Sequence, residues 1–356
     1  MEWREAPDLL ARLEELPFSE QLRQAEEDET LHTWGLTQLL LQRSREVVSE
    51  NPRKALERAE LAAVVSRHLS SAYDPDWVLD LRARAYAHLG NASRVLGELL
   101  RAEASFRKAE SYLSRSQTGN SWAEAEIQDL KGSLRMDQRR FDEARKLFDR
   151  ARDLYRQEGD SHGLAKVYIK QAKLLREMED LEQAIEWLRR APQDIDQTQE
   201  PQLFATAMHN LLGVLSLAGR FSEALELLPE VQALFRDTAP PLDLVRLRWT
   251  EGSIAFGLGR LHEAETAYRE VQLEFLNHGV LYSVALVSLD LALLLSQQGR
   301  NEEMKQLAAE LMAIFSAQEV HREATAALVL FQRACEEEQI NAELIGRLST
   351  LLRRRG

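Results

Sequence analysis

Lys166, Lys170 and Lys173 stand at i, i+4 and i+7, so on a helix they form one basic stripe able to clamp carboxylates through charge-assisted hydrogen bonds. The chain is acidic, with 58 Asp and Glu against 45 Lys and Arg and a formal charge of −13, which makes a concentrated basic stripe a candidate contact for an acidic partner. The same spacing also serves as a plain solvated helix face. Trp249 offers an indole that can anchor an interface or equally fill a core. Bond-breaking chemistry finds no comparable arrangement. The 8 histidines are scattered without the His-Glu-x-x-His spacing of a zinc site, and His162 and His278 each precede a glycine, as turn residues do. There is no glycine-rich phosphate loop and no nucleophile elbow. Cys335 is the only cysteine, which rules out an internal disulfide or a thiolate cluster. The expectation is a protein without catalytic residues, metal or cofactor.

The charge balance excludes partners as well. A surface of net −13 repels phosphate backbones, and Arg353, Arg354 and Arg355 at the C-terminus make too small a basic tip to reverse that. Met1 to Pro7 lacks the apolar run of a secretory leader, and no stretch reaches bilayer-spanning length. Neither nucleic acid nor a membrane is expected as partner, and the reading is cytoplasmic. At 356 residues the chain exceeds a comfortable single core and must divide or stack.

A ruler in the sequence says how these residues are positioned. Ala55, Ala102, Ala144, Ala184, Ala224, Ala264 and Met304 recur at intervals of 47, 42, 40, 40, 40 and 40 residues. Around them, small, large and small residues share a helical face as Ala102, Phe106, Ala109 and as Ala144, Phe148, Ala151, with looser copies at Ala184, Ala224 and Ala264. Gly90, Gly132, Ala172, Gly252 and Ala292 keep phase in the preceding helix, where two helices of a hairpin cross. Gly219, Gly259 and Gly299 sit where that first helix must end in a left-handed cap. A period near 40 in an all-helical chain predicts a solenoid of six to eight helical hairpins. Residues 1–28 are expected as N-terminal capping helices broken near Pro17, 29–71 as a divergent hairpin, 72–320 as the regular array and 321–356 as C-terminal capping helices. Asp237 to Pro241 reads as a flexible break, and Pro229 should kink or shorten its helix.

Leu89-Gly90 followed by Ala102, Phe106 and Ala109, and again Gly132, Phe141, Ala144, Phe148 and Ala151, resemble the tetratricopeptide repeat (TPR) pattern over about residues 77 to 316. The 40-residue spacing resembles the longer-helix variants of bacterial signalling regulators, which often carry a further DNA-binding or effector domain; none is expected within this chain. The resemblance implies a right-handed α-α superhelix whose first helices line a concave groove. It also implies that the groove binds an extended peptide or partner segment, acidic where it meets the lysines. Carried onto this chain, the groove would hold Arg84, Asn91, Arg94, Lys166, Lys170, Lys173, Arg176, His209, Asn210, Arg246, Trp249 and Ser253. Asn210 occupies the phase at which related arrays bond a peptide main chain, although a local cap or inter-helix bond would use the same amide. The expected role is a non-enzymatic adaptor or scaffold. The alternative is a sensor whose curvature a peptide or small effector changes.

Overall fold

The computed structural model describes residues 2–236, 239–316 and 342–353. Asp237, Cys335, Arg354, Arg355 and the stretch 317–341, which includes the start of the expected C-terminal pair, lie outside the described residues. Those described are α-helical nearly throughout and contain no strand. The chain divides into two compact units, Met1–Leu174 and Leu175–Gly356.

The first unit opens with α1 (Glu2–Glu14) and α2 (Phe18–Glu27), separated at Pro17, then α3 (Trp34–Val47) and α4 (Pro52–Arg67). It continues with α5 (Pro75–Val95) and α6 (Leu99–Leu113), α7 (Ser121–Asp137) and α8 (Phe141–Glu158), and most of α9 (Ser161–Glu177). Local chemistry fixes where these helices start. The Thr33 hydroxyl accepts from the Leu36 N–H, Asp74 accepts from the N–H groups of Asp76 and Trp77, and Asn120 accepts from that of Ala123. Asn51 does the same for α4, where Pro52 takes the first position at no hydrogen-bond cost. The first helices α1, α3, α5 and α7 pack in succession against one another, while α4, α6 and α8 back their own partners.

The second unit holds α10 (Leu181–Arg190), α11 (Pro201–Leu217), α12 (Phe221–Arg236), α13 (Pro241–Gly257), α14 (Leu261–Asn277), α15 (Leu281–Gln297), α16 (Asn301–Ser316) and α17 (Ala342–Arg353). Pro229 lies inside α12, which nevertheless runs to 16 residues, so the proline does not shorten it. Here α11 packs on both α12 and α13, and α17 lies on α15, adding Ile345 and Leu348 to the core.

The ruler becomes core. All seven of its residues, from Ala55 to Met304, are buried. Why the facing positions of the first helix must be small is visible in three of the hairpins. A Cβ on Gly90 would meet the Phe106 ring at 2.9 Å, one on Gly132 the Phe148 ring at 2.6 Å, and one on Gly252 the Tyr268 ring at 2.9 Å. In these three the first helix therefore yields space and the second fills it with an aromatic ring. Its end has a fixed shape too. Gly97, Gly219, Gly259 and Gly299 adopt φ of 78°, 72°, 76° and 68°. Arg139 and Glu179 occupy the same slot at φ 59° and 65°, although neither is a glycine.

Candidate functional site

Six of the residues expected in the groove share one cavity in the second unit. Arg176, His209, Asn210, Arg246, Trp249 and Ser253 line a space of about 370 Å³ between the first helices of adjacent hairpins. Its walls are mixed, since Val214, Leu217, Phe221 and Phe256 also face it. Trp249 is half-buried. Its Nε1 donates to Asp290 Oδ2 at 2.8 Å and its ring meets Phe275 edge-on at 5.9 Å, so one edge of the indole is fixed while the residue still lines the cavity. Ser253 Oγ donates to the Trp249 carbonyl at 3.1 Å. Arg246 donates to Asp243 at 2.5 Å, and Arg176 reaches Glu177 only at 3.5 Å.

His209 lies against Phe235, ring centroids 5.1 Å apart, and its buried Nε2 has no hydrogen-bond partner among the described residues. Burial holds its pKa below the usual histidine value, with Asp243 pulling it up and Arg246 pushing it further down. The ring is therefore favoured neutral. Asn210 beside it is half-buried, and its amide has no side-chain hydrogen bond among the described residues. One turn on, Gly213 also lines the cavity, and a Cβ built there would find no atom within 4 Å. Unlike Gly90, Gly132 and Gly252, this glycine is demanded by no neighbouring ring.

The other expected residues sit in the first unit and are tied up internally. Arg84 Nε donates to Glu126 Oε2 at 2.7 Å, its Nη1 to Gln38 at 3.0 Å, and its guanidinium lies 4.5 Å from the centre of the Trp122 ring. His88 Nε2 approaches the same carboxylate at 3.1 Å and Arg45 at 3.8 Å. Burial would raise the Glu126 pKa, but the Arg84 and His88 charges and hydrogen bonds outweigh it and hold the group ionised. Asn91 accepts from Arg94, whose Nη1 bridges to Asp137 at 2.6 Å. Lys170 donates to both oxygens of Asp129, at 2.7 and 2.6 Å, and Lys166 and Lys173 are engaged as well. The lysine spacing is as read, but Lys170 spends its charge on a carboxylate of the preceding hairpin.

Sequence reasoning passed over Glu126, Asp129 and three tryptophans, Trp34, Trp77 and Trp122. The two acids lie 41 or 42 residues from their cationic partners, one repeat away, and only the period could have linked them. For the indoles a signal existed: each follows an N-cap, Thr33, Asp74 or Asn120, within three residues. Among the described residues, no three His, Cys, Asp or Glu side chains gather to hold a metal ion, and no helix is long and apolar enough to cross a membrane.

Comparison with known proteins adds the fold's relatives. A family model of MalT-like TPR regions matches residues 72–353. No curated protein matches the chain significantly. Among solved structures, a Rap protein complexed with competence and sporulation factor is similar over 90% of this chain and 87% of its own, at 13% identity and a TM-score of 0.67. Aspartyl phosphate phosphatase F from Bacillus subtilis is similar over 86% of this chain and 78% of its own, at 12% identity and a TM-score of 0.59. A signal transduction ATPase with a tetratricopeptide repeat sensor from Pyrococcus horikoshii is similar over 98% of this chain and 52% of its own, at 12% identity and a TM-score of 0.65. At these identities the likeness is one of fold.

Proposed function

The chain belongs to the family of MalT-like TPR regions, and on that premise we propose that it is a non-catalytic adaptor or regulator that holds an extended segment of a protein or peptide in the cavity of its second unit. Gly213 carries the reading. A glycine inside a helix costs about 1 kcal/mol relative to alanine, and no packed ring here requires it. What it provides is room at the cavity wall for another chain's backbone. Asn210, one turn before, supplies an amide able both to donate to and accept from that backbone without regard to side chains. Trp249 gives an apolar surface, and Arg176, held by Glu177 only at 3.5 Å, favours an acidic residue in the bound segment. That a Rap protein of similar fold was solved in complex with competence and sporulation factor supports a bound partner as occupant. The cytoplasm is the proposed site of action, in keeping with a sequence that has a single cysteine.

The test pans a linear heptapeptide library on the full chain and titrates the best synthetic binder. Asn210→Ala should weaken it at least tenfold. Gly213→Leu should abolish binding while the thermal midpoint holds or rises, because the new side chain enters open space and the helix gains propensity. A library that yields no binder, or a binder indifferent to both substitutions, overturns the proposal.

A further inference from the structure

A second cleft, in the first unit, has no part in that reading. It encloses about 520 Å³ and is lined by Trp3, Trp34, Trp77 and Trp122, four of the chain's six tryptophans. Their placement follows from the fold. Each falls in the first turn of a first helix, α1, α3, α5 or α7, and these helices pack side by side in that order. Parallel helices with indoles at the same end make a row of rings, one per hairpin. The row is costly to leave bare: Trp3 is 58% exposed and Trp77 49%.

Charge and hydrogen bonding narrow the occupant. The guanidiniums of Arg45 and Arg84 and the His88 ring all face Glu126, and Asp80 adds a second carboxylate to the cleft, so its cationic groups are already engaged by its own acids and an anionic ligand would have to displace them. Among the described residues the indole N–H groups of Trp3, Trp34 and Trp77 have no acceptor, whereas that of Trp122 is taken by Asp160 at 2.8 Å. The amides of Gln38, whose oxygen accepts from Arg84, and of Gln42, whose Nε2 donates to Glu46 at 2.9 Å, also line the space. The cleft therefore offers indole donors and flat apolar faces, with its charged groups engaged among themselves. A proline-rich segment is the complementary ligand: its rings stack on indoles, its main chain lacks N–H groups, and its carbonyls are free to accept. The pitch agrees. Adjacent packed helices stand about 8 to 10 Å apart, and a polyproline II turn of three residues advances about 9.3 Å. Each turn can then meet one indole, and four indoles match about ten residues.

We infer that the first unit carries a second site, separate from the cavity at Asn210, that binds a proline-rich polyproline II segment of a partner protein along the row of Trp3, Trp34, Trp77 and Trp122. The test titrates the full chain with a blocked ten-residue polyproline peptide and follows indole emission. A saturable change is expected, with affinity falling at least tenfold in Trp77→Ala and in Trp3→Ala, both exposed positions whose replacement should leave the melt unchanged. Trp249→Ala, in the other unit, should bind the peptide as the parent does. No saturable change at millimolar peptide overturns the inference. So does binding that survives both substitutions, an equal response to a Gly-Ser decapeptide or an alanine-lysine helical peptide, or a concentration-dependent self-association that accounts for the emission change.

Discussion

At the scale of single residues, the site is a matter of which polar groups the protein leaves unsatisfied. His209 is the sharpest case, since burial depresses its pKa and the folded chain resists protonating it. The unfolded chain takes up that proton at the ordinary value of about 6.5. Stability at this residue is therefore whole above that pH and declines as the pH falls below it, where the unfolded state binds more protons. Urea unfolding across pH 7.5 to 5 should show the decline, and His209→Gln should flatten it. Glu103 behaves in the same sense further down. Its hydrogen bonds from Arg135 hold its pKa at about 2, so that contribution is present above pH 4.5 and is lost toward pH 2. The TPR resemblance implied a groove that included Arg176, His209, Asn210, Arg246, Trp249 and Ser253, because the repeat gives the phase at which first-helix residues recur. It could not reveal that Lys170 would be consumed by Asp129, because which side chain reaches across a hairpin depends on rotamers and tilt rather than on period.

At the scale of the hairpin, small residues on one helix and rings on the next determine how closely the two approach. Ala184 and Ala224 are fully buried, and replacing either with leucine should cost about 1 to 3 kcal/mol by overpacking, read as a drop in urea midpoint. Gly132→Ala should also destabilise, because the Phe148 ring lies 2.6 Å from the added carbon, whereas Gly213→Ala should stabilise. This division between required and unrequired glycines was hidden in the sequence, where all of them are the same letter at similar phase. The left-handed turn at the end of the first helix makes the opposite point. Glycine at 219, 259 and 299 was legible, but Arg139 and Glu179 look like ordinary helix formers and give no hint of positive φ. Glu179→Gly should therefore raise stability by about 1 kcal/mol, measured as a rise in melting midpoint.

For the molecule as a whole, stability is the sum of many neighbour contacts rather than the property of one centre, as expected of stacked repeats. A lesion should then stay local. Hydrogen exchange on Ala264→Leu should show protection lost in α13 to α15, with α3 to α6 exchanging as in the parent; uniform loss would mean a single cooperative block. The architecture was readable because a 40-residue period leaves few other ways to bury apolar faces. The row of indoles was not, because its members are 31, 43 and 45 residues apart and only their shared place in the first turn of a first helix unites them. The positions 139 and 179 carry one more implication. There the bend is made without the amino acid that makes it easy, so the shape recurs where the letter does not. Anyone tracing remote kin of this chain would do better to count paces between bends than to look for a glycine at every one of them.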